Sequence, residues 1–243
     1  MELSVRLRAV ADLITEGYRV ADIGTDHGYL PIYLMNQKKS PCVIAMDINE
    51  GPLQTAREHI ASQTKGNYIE TRLSDGLKAL HPGECDCIVA AGMGGGLVTN
   101  ILSDHRDVTA SLKECILQPQ SEIAKVRAFL LMEGFSITKE DMVLDAGKYY
   151  PMMKVSVPAD FAEPVREKKA LTWTETELSY GKLLLEMRHP VLKQFLDREV
   201  EIKIQVLERL ATQSGSHIEV RRREIENELA LAREGLSYYS AGK

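Results

Sequence analysis

Val20-Ala21-Asp22-Ile23-Gly24-Thr25-Asp26-His27-Gly28 reads as an apolar strand running into a glycine turn. Tyr18 to Ile23 predicts the strand, and a helix follows from about Gly28 to Asn36. The same unit recurs downstream. Cys42 to Met46 predicts a second strand ending at Asp47. Gly51 to Thr64 predicts a helix with Leu53, Ala56, Arg57 and Ile60 on one face, and Tyr68 to Leu73 a third strand before Asp75-Gly76. Cys87 to Ala91 predicts a fourth strand, ending in Gly92-Met93-Gly94-Gly95-Gly96, with a helix over Leu97 to Leu102. Glu114 to Leu117 predicts a fifth, closed by Gln118-Pro119. A helix from Ser121 to Glu133 is then expected, capped by Ser121 and stopped by Gly134. Upstream, Leu3, Leu7, Val10, Ala11 and Ile14 recur at helical spacing. Phe135 to Leu144 and Tyr149 to Val157 read as two strands around a hairpin turn, Asp145-Ala146-Gly147-Lys148. The expectation is an α/β domain over residues 1–158: five parallel strands closed by an antiparallel hairpin.

The turn after the first strand carries the chemistry. In such sheets a ligand sits at the carboxyl ends of the strands, and glycine lets the backbone approach it closely. A dinucleotide site needs G-x-G-x-x-G facing a pyrophosphate, but here Asp26 stands where the middle glycine would be. A carboxylate repels pyrophosphate and tolerates, or favours, a sulfonium and an ammonium group. The pattern therefore points to S-adenosylmethionine and a class I Rossmann-like methyltransferase sheet. Asp47, 23 residues after Gly24, suits the two ribose hydroxyls, with Ile48 beside it; capping of the next helix is the alternative. Asp75-Gly76 suits an adenine amino group, or is simply a turn. Gly92 and Gly94 offer bare backbone past which a flat base or the methyl donor can lie, or a tight start to a helix.

From Ala159 the composition changes. Residues 159–169, charged and containing Pro164, read as a linker, and from Glu175 the chain is helical with a break at Pro190. Leu192, Leu196, Val200, Leu207 and Leu210 form one apolar stripe. Gln213-Ser214-Gly215-Ser216-His217 is a turn, and Ile218, Ile225, Leu229, Ala232 and Leu236 form a second stripe with heptad spacing. Residues 159–243 are thus expected to form an antiparallel coiled-coil hairpin domain.

Bulk properties narrow the function. The chain has 243 residues, 44% hydrophobic and 27% charged, and a net charge of −5, so it is not a strongly basic nucleic-acid binder. Residues 1–158 carry 16 Lys and Arg against 20 Asp and Glu, and residues 159–243 carry 14 against 15, so any nucleic-acid surface must be a local patch. Arg221-Arg222-Arg223, Lys168-Lys169 and Arg188-His189 are the candidates. Cys42, Cys85, Cys87 and Cys115 lack metal-ligand spacing and read as reduced structural thiols. Met1 to Thr15 does not read as a leader, and no apolar stretch is long enough for a membrane span. The expectation is a soluble, cytoplasmic protein with no metal, and a monomer.

The chain resembles the bacterial tRNA (adenine-N1)-methyltransferases that modify position 22, the TrmK-like family. The matching residues are Ala21-Asp22-Ile23-Gly24-Thr25-Asp26-His27 with Tyr29-Leu30-Pro31, Gly51-Pro52, Asp75-Gly76, Ala91-Gly92-Met93-Gly94-Gly95, Leu117-Gln118-Pro119, Tyr149-Tyr150 and the closing helices. The resemblance implies S-adenosylmethionine as cofactor and tRNA as partner. It implies that Asp22, Gly24, Asp47 and Asp75 surround the cofactor and that Asp26 matters for catalysis. His27, Tyr29, Gly94, Gln118 and Pro119 are expected on the substrate side, with Arg221 and Arg222 on tRNA phosphates. The family has asparagine after Gln-Pro; this chain has the longer Gln120. A methyltransferase acting on a small molecule or protein, and a non-catalytic cofactor- or RNA-binding module, stand as alternatives. A dehydrogenase is disfavoured by Asp26 and by the closing hairpin.

Overall fold

The computed structural model describes residues 3–63, 69–163 and 170–240. The chain divides into two compact units, Met1–Leu171 and Thr172–Lys243.

The first unit is built on one seven-stranded sheet. Its strands are β1 (Val20–Ile23), β2 (Val43–Asp47), β3 (Ile69–Leu73), β4 (Cys87–Met93), β5 (Glu114–Pro119), β6 (Ser136–Asp145) and β7 (Lys148–Ser156), in the order β3-β2-β1-β4-β5-β7-β6. β1 to β5 pair in parallel; β7 runs antiparallel between β5 and β6. This is the expected arrangement, five parallel strands closed by an antiparallel hairpin. All four residues of β1 are buried, as the centre of a sheet covered on both faces requires. Alternate residues serve the two faces. Val20 packs with Val43, Cys87 and Val89 under α1 (Val5–Leu13) and α2 (Tyr29–Asn36). Ala21 and Ile23 pack with Ile44, Met46, Ile88 and Ala90 under α4 (Gly95–Asp104) and α6 (Ile123–Met132). Two further helices complete the unit, α3 (Glu50–Gln63) and the five-residue α5 (Arg106–Ala110), which the sequence pattern did not predict.

The hairpin turn has a loop of two residues, between the paired Asp145 and Lys148. Ala146 and Gly147 have φ of 48° and 78°, so a two-residue turn of the primed type joins β6 to β7, the hand that matches strand twist. Other details depart from the sequence expectation. β4 continues through Gly92 to Met93, with a register shift between Ala91 and Met93 and Gly92 at φ 83°; the left-handed glycine makes the bulge possible. Ser121 does not cap α6: the helix starts after Glu122, and the Ser121 hydroxyl accepts from the Gly95 N–H at 3.3 Å instead. Phe161, inside the expected linker, is buried against Phe135, ring centroids 4.7 Å apart, and lies under the Arg106 guanidinium. Pro164, Lys168 and Lys169 lie outside the described residues. Arg127 of α6 and Glu140 of β6 form a fully buried ion pair, Nε to Oε1 2.8 Å.

Cys85, Cys87 and Cys115 are free and buried, and burial pushes the Cys85 thiol up to about 12; all three behave as small hydrophobes.

The second unit is helical: α7 (Glu175–Tyr180), α8 (Lys182–Glu186), α9 (Pro190–Ala211) and α10 (Ser216–Ser240). Thr174 and Glu177 form a capping box on α7. Pro190 opens α9 in its first turn, where its missing N–H costs nothing. α9 and α10 pack antiparallel, Leu196 against Gly235 and the Lys203 ammonium 3.1 Å from Glu228. Leu192, Leu196, Ile225, Leu229 and Ala232 are buried there. Among the described residues no helix is long and apolar enough to cross a membrane.

Candidate functional site

Parallel pairing brings five strand ends to one edge of the sheet. Ile23 stands level with Met46 on β2 and Ala90 on β4, Asp47 with Leu73 on β3, and Ala91 with Gln118 on β5. The loops after these strands therefore converge where the strand order reverses between β1 and β4, the position at which open α/β sheets bind ligands. Asp22, Gly24, Asp26, Asp47, Ile48, Asp75, Gly76, Gly92, Gly94, Gln118 and Pro119 all lie on those strand ends and loops.

Asp22 is buried and forms no ion pair among the described residues. Its carboxyl is raised from 3.8 to about 6. Burial is the main cause; the nearby carboxylates of Asp47 and Asp26 add to it, and Thr25 and Arg6 oppose it. A buried acid held short of a cation suits a ligand that brings one. Asp47 accepts from the Asn49 N–H at 2.8 Å through Oδ1, the turn-forming role, which leaves Oδ2 outside that bond. Beside it a cavity of about 390 Å³ is lined by Ile48, Leu73, Ser74, Asp75, Lys78 and Ala79. Ile48 and Leu73 are 58% and 54% exposed, and with Asp75 they line this cavity with two apolar side chains and a carboxylate.

Gly95 is needed for space: a Cβ there would stand 2.5 Å from the Ser121 carbonyl oxygen, whereas one on Gly24 would meet only the movable end of the Met93 side chain. Gly24, Gly76 and Gly92 also have positive φ.

On the other side of the β1 turn the surface is acidic and aromatic. Asp26 is 82% exposed, and its Oδ1 lies 3.0 Å from His27 Nε2. His27 has φ 58° and Gly28 φ 70°, two successive left-handed residues ahead of α2. The rings of His27 and Tyr29 are 5.5 Å apart. The Gln118 side chain is fully buried and its amide is occupied: Oε1 accepts from Arg6 Nη1 at 3.1 Å, and Nε2 donates to the Pro119 carbonyl at 3.2 Å.

Arg6 is the residue that sequence reasoning missed most clearly. It reaches from α1 across the strand ends, its guanidinium over the Tyr150 ring at 5.5 Å and close to the Gly92 backbone. Its backbone N–H donates to Asp145 at 3.1 Å. Nothing in α1's spacing marks it; the signal was only an arginine on a half-exposed face. Arg221, Arg222 and Arg223 lie on α10 of the second unit, all exposed, with Arg221 donating to Glu224 at 2.8 Å and Arg222 3.7 Å from Glu226.

A family model described as a methyltransferase domain matches residues 3–153. A Bacillus subtilis (strain 168) protein named tRNA (adenine(22)-N(1))-methyltransferase is 35% identical over 153 residues, which is 63% of this chain and 64% of that protein. The crystal structure of a putative tRNA (m1A22) methyltransferase from Streptococcus pneumoniae in complex with S-adenosyl-L-methionine is similar with a TM-score of 0.81 and 28% identity, covering 97% of this chain and 100% of that one. The B. subtilis m1A22 tRNA methyltransferase TrmK is similar with a TM-score of 0.80 and 28% identity, covering 97% and 99%.

Proposed function

Because the chain belongs to the methyltransferase-domain family, whose model spans residues 3–153, we propose that it methylates N1 of an adenine in tRNA from S-adenosylmethionine, at position 22 by likeness to its relatives. One observation carries this reading. The strand-end site joins a buried, cation-seeking Asp22 to an exposed Asp26 at the turn that borders it.

Asp22 takes the cofactor's ammonium, Asp47 the ribose hydroxyls and Asp75 the adenine amino group, with Ile48 and Leu73 on the faces of the base. Gly24, Gly76 and Gly92 let the backbone close in. When bound, S-adenosylmethionine supplies an electrophilic methyl group on a sulfonium. Adenine N1 already carries an in-plane lone pair, so the chain has to take the base out of the helix, align N1 and exclude water. The methylated ring is cationic. Asp26 stabilises that charge and accepts from the N6 amino group, while His27, donating to Oδ1, leaves Oδ2 towards the base. Tyr29 stacks on the base, and Gly94 and Pro119 border it. Gln118 acts on the substrate side by orienting Arg6. Arg221 and Arg222 of the helical unit hold tRNA phosphates, and the protein works as a cytoplasmic monomer.

The decisive experiment incubates the full chain with unmodified tRNA transcripts and labelled methyl donor, then maps the modified base. N1-methyladenine is expected; methyl at any other atom sinks the substrate assignment, and bound cofactor without transfer favours a non-catalytic module. In the same assay, replacing both Arg221 and Arg222 by alanine raises KM for tRNA and lowers the salt slope by about two, with kcat kept.

Cofactor affinity should also follow Asp22. Its folded pKa lies above its ordinary value, so its share of the free protein's stability is full below 3.8 and is lost as pH rises through about 6. The cofactor's cation needs the ionised form. Titration calorimetry should therefore show affinity falling about tenfold per pH unit below that value, and Asp22→Asn should flatten the dependence. A wild-type profile flat from pH 5 to pH 7 (roughly a unit either side of the Asp22 value) would remove Asp22 from the ammonium site.

A further inference from the structure

His59, on α3, touches the catalytic turn from outside the strand-end loops. Its Nδ1 lies 2.9 Å from the His27 carbonyl oxygen. A carbonyl only accepts, so Nδ1 carries the proton and donates. The His59 ring stacks on Tyr29 at 5.4 Å with 15° between planes, and its centroid is 5.9 Å from that of His27. One helical turn back on α3, Ala56 closes on the same segment: a Cβ on Gly28 would stand 3.2 Å from the Ala56 Cβ.

The held segment needs holding. His27 is a non-glycine residue in the left-handed region, followed directly by a second left-handed residue, and such backbone persists only when its surroundings over-determine it. His27 in turn sets Asp26. Its Nε2 donates to Asp26 Oδ1, so Nε2 carries a proton, and its Nδ1 is buried with no hydrogen-bond partner among the described residues. A chain of contacts thus runs from His59 Nδ1 to the His27 carbonyl, through the His27 ring, to an Asp26 carboxylate that is otherwise 82% exposed.

We propose that His59 is a positioning residue for adenine methylation, locking the His27 backbone so that Asp26 meets the base in one fixed arrangement. The inference rests on the proposed tRNA methylation. α3 would then couple the cofactor side of the site, where Asp47 and Ile48 precede it, to the substrate side.

Three full-length variants separate its two contacts. His59→Asn keeps a donor near the Nδ1 position without the ring, His59→Phe keeps the ring without the donor, and His59→Ala keeps neither. Loss of alignment at a reacting centre costs about ten- to a hundredfold in rate, so kcat of His59→Ala should fall by at least about tenfold with cofactor Kd unchanged. His59→Asn should recover most of that loss, and His59→Phe should not. On an Asp26→Asn background, His59→Ala should cost little more, because His59 acts through Asp26. An unchanged kcat in His59→Ala, an equal fall in all three variants, or a full multiplicative loss on the Asp26→Asn background would each overturn the assignment. Nitrogen-15 NMR of the histidines provides a readout independent of activity. It should find His59 protonated on Nδ1 and His27 on Nε2 in the wild type, with the His27 signals displaced in His59→Phe. That pattern without adenine methylation would defeat the proposed function and leave the lock; methylation without that pattern would defeat the lock alone.

Discussion

Asp26→Asn is expected to lower kcat for tRNA methylation by about two to three orders of magnitude while cofactor binding stays within about twofold. Asparagine keeps the size of the side chain and an oxygen for His27 Nε2–H, so the turn should stand. The negative charge is lost. In the free protein that charge sits in water, where its worth to anything nearby is small. Its value rises only when tRNA covers it, as the target ring turns cationic. The loss should therefore fall on kcat and on kcat/KM alike, the signature of an interaction made in the transition state. Single-turnover methylation with saturating cofactor measures it directly. Near-normal turnover by a variant that still binds cofactor would take the carboxylate out of the mechanism.

The second large effect is on stability. Arg127 and Glu140 are 1% and 0% exposed, joined at 2.8 Å between α6 and the edge strand β6. Removing one partner strands a charge in a medium that solvates it poorly, at a cost of about 3–5 kcal/mol. Arg127→Met and Glu140→Leu should each show that loss in urea denaturation, a large share of the roughly 5–15 kcal/mol that holds a domain folded. The double variant Arg127→Met/Glu140→Leu should recover most of it, because an apolar pair of similar volume carries no desolvation cost. The lone tryptophan, Trp173, belongs to the helical unit, so the first unit is best followed by circular dichroism. Two single losses that simply add in the double variant would mean that the pair is not an energetic unit.

The fold was legible because its signals are periodic. Short strand-like runs ending at Ile23, Asp47, Leu73 and Ala91 give the strands, and parallel pairing then requires their ends to meet. The hairpin was legible from Ala146-Gly147 between two alternating runs. The losses have separate physical reasons. Gly92 reads as a strand terminator, yet here it is the left-handed residue of a bulge that carries β4 to Met93. Ser121 has the chemistry of a helix cap, but the nearer donor is the Gly95 N–H, brought across by the pairing of β4 with β5. Phe161 is one apolar residue in a charged run, and nothing local says that Phe135 and Arg106 wait for it.

The site divides in the same way. Its acidic and glycine positions are set by strand ends and were visible in the spacing. Arg6 and His59 were not. Each sits on a helix whose pattern is that of an ordinary amphipathic face, and each reaches the site through a side chain whose direction depends on how the helix packs. Spacing tells which face a residue is on, but not what stands opposite.

The position of β7 between β5 and β6 bears on how the protein is made. The strand that completes the interior of the sheet is the last of the seven to be synthesised. A growing chain that has emerged only as far as β5 holds all five parallel strands but leaves one side of β5 open, with Ile116 and Leu117 unshielded by Met152, Met153 and Val155. The tight Ala146-Gly147 turn makes β6 and β7 a local pair in sequence, so the strand that fills the interior position has its edge partner only two residues away along the chain.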